Sequence, residues 1–216
     1  MCNANCIIFG ANNLKSEEIK DKRVLEIGAY NVNGSLRSII EKSNPQEYVG
    51  IDIIDGNGVD IVCSIEDAIE KFGKESFDLV ISNELLEHVK DWRLAISNIK
   101  NLIRPGGVAL ITTRSFGFPY HGYPNDFWRY EVKDMKNIFS DLEIIKIISD
   151  SQDPGVFVKA KKPFAFQEKD LVSYELYSIV AGRRTKMISS NDYLNWRYAI
   201  ILFREKLKML IKKVIK

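Results

Sequence analysis

From residue 23 onward, short β-branched runs alternate with stretches of helical period, and this alternation constrains the fold more than any other feature of the chain. "RVLEIGA", "EYVGIDI", "VDIVCS", "FDLVIS" and "VALITT" read as five strands. Between them lie "GSLRSIIEKS", with Leu36, Ile39 and Ile40 turned inward, the short "EDAIEKFG", and "DWRLAISNIKNLIRPGG", closed by Pro105 and Gly106. Near-continuous apolar strands separated by helices argue for a parallel sheet covered on both faces. A helix is expected over about 132–139, after which "LEIIKIISD" and "GVFVKAKK" form two strands joined through "SQDPG". The parallel sheet thus ends in an antiparallel hairpin. Residues from Pro163 onward leave the pattern and read as helical. At 216 residues the chain holds one full core with an appendage, divided as a main domain over 1–162 and a helical extension over 163–216.

"VLEIGAYNVNGSL" places a carboxylate, Glu26, inside strand 1 and a glycine, Gly28, at its end. An unpaired buried charge is costly, so Glu26 needs a use. In an open α/β sheet, ligands bind at the C-terminal strand ends beside the topological switch point. A nicotinamide-dependent oxidoreductase wants G-x-G-x-x-G there, so that a pyrophosphate can reach the helix N-terminus. This chain reads Gly28-Ala29-Tyr30-Asn31-Val32-Asn33-Gly34 and lacks the second glycine. A cationic, phosphate-free ligand suits the acid better.

"VLEIGAYNVNG", "YVGIDI", "FDLVISNELLEHV" and "LIRPGGVALITT" occur in that order ahead of the hairpin. On these motifs the chain resembles the class I S-adenosylmethionine-dependent methyltransferases over roughly residues 20–160. It is similar to type 11 members, and through "YPNDFWRY" it resembles members associated with glycan assembly. The resemblance implies a Rossmann-like α/β fold with a seven-stranded, mostly parallel sheet and S-adenosylmethionine as cofactor. It also implies roles. Glu26 and Gly28 would hold the methionine end, and Asp52 would accept from the ribose hydroxyls. Ser64 and Ile65 would flank the adenine, and Asn83 would line the cofactor near the reacting methyl. Tyr30 and Val32 stand where the family loop has further glycines, and Ser64 where it often has an acid. A nicotinamide-dependent oxidoreductase and a non-catalytic adaptor of the same fold are the alternatives.

The chain has two histidines, His88 in "NELLEHV" and His121 in "SFGFPYHGYPNDFWRY". Both follow strands whose ends border the expected site, and a histidine is the natural base for removing a hydroxyl proton. Both are candidate catalytic residues. Glu84, Glu87 and His88 resemble an E-x-x-E-H stretch that some quinone-type O-methyltransferases link to a divalent cation. The spacing reads as a surface acid pair, and no metal is assigned. The loop after strand 5 is densely aromatic, and Tyr123, Asp126, Trp128 and Arg129 are candidate acceptor contacts. Aromatic platforms with a few charges suit a sugar ring or a planar small molecule.

Net charge is +2 overall, but residues 193–216 carry +6 and residues 1–192 therefore −4. In "YLNWRYAIILFREKLKMLIKKVIK", Trp196, Ile200, Phe203, Leu207, Leu210 and Val214 make one helical stripe. Arg197, Arg204, Lys208 and Lys212 lie toward another side. A basic amphipathic helix suits an anionic membrane surface, and equally suits docking on the domain or on a second subunit. The acidic body argues against nucleic acid. Cys2, Cys6 and Cys63 form no disulfide framework, which fits a reducing cytoplasm. The expected setting is cytoplasmic, with peripheral attachment to the inner membrane face through the tail.

Overall fold

The computed structural model describes residues 4–122 and 125–214. α1 (Ala4–Asn13) precedes β1 (Arg23–Ile27), α2 (Arg37–Glu41), β2 (Glu47–Asp52), β3 (Ile61–Val62) and α3 (Ala68–Phe72). β4 (Phe77–Asn83), α4 (Trp92–Leu102) and β5 (Ile103–Arg114) follow. The remainder comprises β6 (Trp128–Arg129), α5 (Val132–Ile138), β7 (Glu143–Ser149), β8 (Gly155–Lys161), β9 (Leu176–Ser178), β10 (Arg183–Thr185) and α6 (Trp196–Val214).

Seven strands form one sheet in the order β3-β2-β1-β4-β5-β8-β7. The pairs from β3 to β5 are parallel, and β8 runs antiparallel to both its neighbours. This is the Rossmann-like α/β arrangement expected, with the hairpin at one end. Strand side chains alternate between two cores, as a period of two demands. Leu25, Val80, Ala109 and Val158 join a cluster with Trp92, Ile96 and Ile99 of α4 and Met135 of α5. Val24, Leu79, Leu110 and Phe157 join the opposite cluster, with Cys6 and Phe9 of α1 and Leu36 and Ile40 beside and in α2. Asp91 opens α4 by accepting a hydrogen bond from the Leu94 amide at 3.2 Å, which satisfies one orphan donor of the first turn.

Three local differences from the sequence reading have physical causes. Ile39 faces outward, 37% exposed, because α2 has five residues and Leu36 and Ile40 complete its inward line. β5 begins at Ile103, before Pro105 and Gly106, because Ile103 pairs with Phe77 ahead of an irregularity that restores the register at Leu79 and Val108. The stretch after Pro163 is not uniformly helical. Its β9 pairs with β10 on one side and, on the other, with β6 from the loop after β5, in a three-stranded antiparallel sheet. Arg93 of α4 holds this region by donating to the carbonyls of Leu171, Tyr174 and Lys186. Three-residue strands carry too little alternation to be read from sequence.

α1 is part of the core. Phe9 is 4% exposed, and its ring lies 5.2 Å from that of Phe157 in β8. Phe9→Ala is therefore expected to destabilise the chain by about 3–5 kcal/mol, the usual cost of emptying a buried aromatic site. Urea denaturation measures it, and a loss below about 1 kcal/mol would mean that α1 is peripheral.

Candidate functional site

A cavity of about 350 Å³ opens at the C-terminal ends of β1 to β4. Glu26, Gly28, Asp52, Ser64, Ile65 and Asn83, six residues far apart in the chain, all line it, as do His88 and His121. Such convergence follows from topology, since neighbouring parallel strands end on the same edge of the sheet.

Each side chain has a local reason for its position. Gly28 has φ +79°, and a Cβ there would lie 3.2 Å from the Leu85 side chain, so glycine meets both demands. Glu26 is buried, accepting from Tyr48 Oη at 2.5 Å and Ser35 Oγ at 3.2 Å. Burial raises its pKa, against the pull of those two bonds. Asp52 accepts from the backbone amides of Tyr30 at 3.1 Å and Ile54 at 3.2 Å, one on each carboxylate oxygen. Two further lone pairs stay available. Asn83 accepts from Thr112 Oγ1 at 3.3 Å, while its buried Nδ2 has no partner among the described residues. Acceptors at Glu26 and Asp52, an unpartnered amide donor and the apolar wall of Ile65 fit a ligand with an ammonium, a carboxylate, a diol and a planar base. S-adenosylmethionine has that set.

The end of β4 departs from the sequence reading. Glu84 and Glu87 are not a surface pair: they are 3% and 0% exposed. Glu84 adopts φ +53°, a left-handed conformation that costs a non-glycine residue of order 1 kcal/mol. The turn sends its carboxylate to Arg114, which also lies 3.5 Å from Asp150. Burial, and after it the charge of Glu87, push the Glu84 pKa well up. Glu87 accepts from Thr113 Oγ1 at 2.8 Å and faces His121 Nε2 at 3.6 Å. That is an ion-pair distance, too long for a hydrogen bond.

From Glu87 a row of buried charges runs into the loop after β5. His121 Nδ1 lies 3.0 Å from Asp126 Oδ2, and Arg129 grips the same carboxylate with both terminal nitrogens, at 2.5 and 2.7 Å. Burial works against charge on His121, but the Asp126 bond and the Glu87 carboxylate outweigh it and lift its pKa to about 9. Glu87 answers in kind. Burial would raise it, yet the two histidines hold it at about 2. His88 behaves oppositely: burial lowers its pKa, so the ring is neutral at pH 7. Its Nδ1 contacts the Asn125 carbonyl, which only accepts. The proton therefore sits on Nδ1, and Nε2 carries the lone pair. The two imidazoles meet edge to face, 4.7 Å apart.

Glu87, His88 and His121 each offer a ligand atom, all within 4.8 Å of one another. One carboxylate and two imidazoles are donors that borderline divalent cations accept, in competition with the proton on His121.

The expected acceptor contacts mostly take other positions. Asp126 and Arg129 are buried on each other, and Arg129 also donates to the carbonyls of Phe118, Pro119 and Trp128. Trp128 is a core residue whose Nε1 donates to the Lys90 carbonyl at 3.1 Å. None of the three lines the cavity at the strand ends. Tyr123 lies outside the described residues. Sequence reasoning missed Tyr48 and Ser35, which hold Glu26, and Glu66, Leu85, Asn125 and Phe127, which line the cavity. Glu66, two residues beyond Ser64, places a carboxylate near where the family's acid was expected.

Residues 11–150 match the family described as "Methyltransferase domain". Among curated proteins, the chain is 31% identical over 68 residues to "Ubiquinone biosynthesis O-methyltransferase" of Parvibaculum lavamentivorans, across 32% of this chain and 26% of that protein. The protein so named in Sinorhizobium fredii is 27% identical over 126 residues, across 50% of this chain and 47% of its own length. The matches thus span less than half of those relatives. Among solved structures, the 1,6-didemethyltoxoflavin-N1-methyltransferase of Burkholderia thailandensis, with bound S-adenosylhomocysteine, aligns with TM-score 0.58 at 15% identity, over 73% of this chain and 78% of that one. An S-adenosylmethionine-dependent methyltransferase from Mesorhizobium loti aligns with TM-score 0.53 at 14% identity, over 71% and 100%. At these identities the structures share the fold.

The charge on His121 makes stability depend on pH. Its pKa rises from 6.5 unfolded to about 9 folded. Its contribution is fully present below pH 6.5 and disappears as pH climbs through 9. His121→Gln is expected to cost on the order of 1–3 kcal/mol at pH 6, discounted for the ring's partial exposure, and much less at pH 10. Denaturant titrations of both proteins across that range report the difference. A gap that stays constant with pH would show that the ring is not held charged.

Proposed function

We propose that this chain, which belongs to the methyltransferase-domain family, transfers the methyl group of S-adenosylmethionine to a hydroxyl of a small molecule, a sugar or glycan precursor foremost. The carrying observation is His88, a neutral imidazole whose lone pair at Nε2 belongs to a ring lining the cofactor cavity. The name of the two curated relatives, an O-methyltransferase, supports a hydroxyl acceptor.

The cofactor, when bound, supplies an electrophilic methyl on a sulfonium. The chain's own residues do the rest. Glu26, Asp52 and Asn83 offer acceptors and a donor along the cavity, and alignment of the reacting groups is the protein's main contribution to a displacement of this kind. His88 takes the hydroxyl proton at Nε2. His121, held protonated between Asp126 and Glu87, does not compete for it. Its positive charge also helps keep His88 neutral. From the aromatic loop, Phe127 lines the cavity and Phe118 lies edge-on to His121 at 4.9 Å.

His88→Ala is expected to lower turnover by about 10²–10⁴-fold while S-adenosylhomocysteine binding persists. The wild-type rate should fall on the acid side with a pKa below the ordinary histidine range. Radiolabelled methyl transfer to a panel of sugars, sugar nucleotides and phenols, with calorimetry for the cofactor, tests both. Wild-type turnover in His88→Ala would overturn the base assignment.

The tail fits attachment to an anionic membrane surface. No helix among the described residues is long and apolar enough to cross a membrane. α6 docks through Tyr198, 4% exposed, and through Leu202, which packs on the core. Trp196, Ile200, Phe203, Leu207 and Leu210 face outward, and Trp196 and Phe203 are 66% and 68% exposed. An apolar stripe flanked by basic residues suits the lipid interface, at about 1 kcal/mol per cation near an anionic leaflet. In co-sedimentation at low salt, the full chain is expected to bind anionic vesicles. A Trp196→Ser/Phe203→Ser/Leu207→Ser variant, which leaves Tyr198 in place, should bind several-fold less. Equal partitioning of the two would remove the membrane from the reading.

A further inference from the structure

A second cavity, of about 370 Å³, lies on the outer side of the loop after β5, between that loop and α6. Arg197, Arg204 and Lys208 line it from α6, at helical spacings of seven and four that bring them onto one face. Glu205 is the acid among the lining residues, and Lys208 pairs with it at 2.6 Å. Arg197 stacks on Trp196, and neither Arg197 nor Arg204 has an ion-pair partner among the described residues, Glu205 being taken by Lys208. The facing wall is aromatic. Phe116 and Tyr177 meet edge to face there, with centroids 4.8 Å apart. Arg129, also at this cavity, is already neutralised by Asp126.

Two uncompensated guanidiniums beside an aromatic wall suit an anion that accepts paired hydrogen bonds and carries a ring. Guanidinium groups match phosphate oxygens bidentately, and aromatic faces receive sugar or base rings. The place fits the function. Phe118 lines this cavity, and its ring touches that of His121, which lines the first, so one layer of the loop separates the two. We propose that the second cavity is a subsite for a phosphate or diphosphate group of the acceptor, held by Arg197 and Arg204 with its ring against Phe116 and Tyr177. This rests on the reading of the chain as a small-molecule methyltransferase and narrows its acceptor to a phosphorylated one.

Calorimetry on the full chain at low salt, with inorganic diphosphate, uridine diphosphate and farnesyl diphosphate as probes, tests it without any acceptor in hand. Saturable binding is expected, at least tenfold weaker in Arg197→Ala/Arg204→Ala and unchanged in Lys206→Ala, an exposed α6 cation that does not line the cavity. Tighter binding of the uridine compound would assign the phosphate to a nucleotide carrier, and of the farnesyl compound to a lipid carrier. No saturable binding of any probe, or equal loss in Lys206→Ala, would overturn the subsite. S-adenosylhomocysteine binding, measured alongside, should be the same in the wild type and the double variant. Its absence in the wild type would strike the methyl-transfer reading while leaving the diphosphate result to be judged by itself.

Discussion

The row Glu87–His121–Asp126–Arg129 is the interaction on which the working end of this molecule depends. Two negative and two positive groups alternate, the acids fully buried and Arg129 nearly so. Together the row is neutral, which is what makes it tolerable inside a protein. Removing one of the fully buried acids leaves an uncompensated charge whose desolvation is no longer offset, a change that typically costs about 3–5 kcal/mol. The row also fastens three parts of the fold. Glu87 belongs to the turn after β4, His121 and Asp126 to the loop after β5, and Arg129 to β6, which pairs with β9.

The electrostatics of the two histidines follow from that row. They lie in ring contact yet are driven apart in pKa, one upward by two carboxylates and the other downward mainly by burial. Adjacent groups pushed in opposite directions are how a fold separates a fixed charge from a proton acceptor at one pH. The left-handed turn at Glu84 brings its carboxylate to Arg114, and Asn83, Glu84 and Leu85 all line the cavity.

α6 shows how one helix divides its faces. Tyr198 and Leu202 dock it, and Tyr198 meets Tyr120 and Tyr193 at 6.2 and 6.1 Å. The basic residues at 197, 204 and 208 turn toward the second cavity, and the apolar stripe turns to the outside. Sequence periodicity identifies such a stripe but not its direction, since packing inward and facing a partner leave the same pattern.

The alternation of strands and helices, the hairpin at the sheet end and the residues at the strand ends were legible in the sequence alone. The reason is local. A strand's burial appears in its own side chains, and the ends of neighbouring parallel strands must converge, which gathers Glu26, Gly28, Asp52, Asn83 and His88 on one cavity. Tertiary structure decided what no local pattern encodes. It buried Glu84 and Glu87, turned Asp126 and Arg129 from acceptor contacts into a scaffold, and built a small sheet from strands too short to announce themselves. It also set which histidine carries a proton, because pKa depends on groups brought close from afar. His88 meets Asn125 across 37 positions and Arg93 reaches the Lys186 carbonyl across 93. Burial and charge at such meetings arise only when the chain has closed around them.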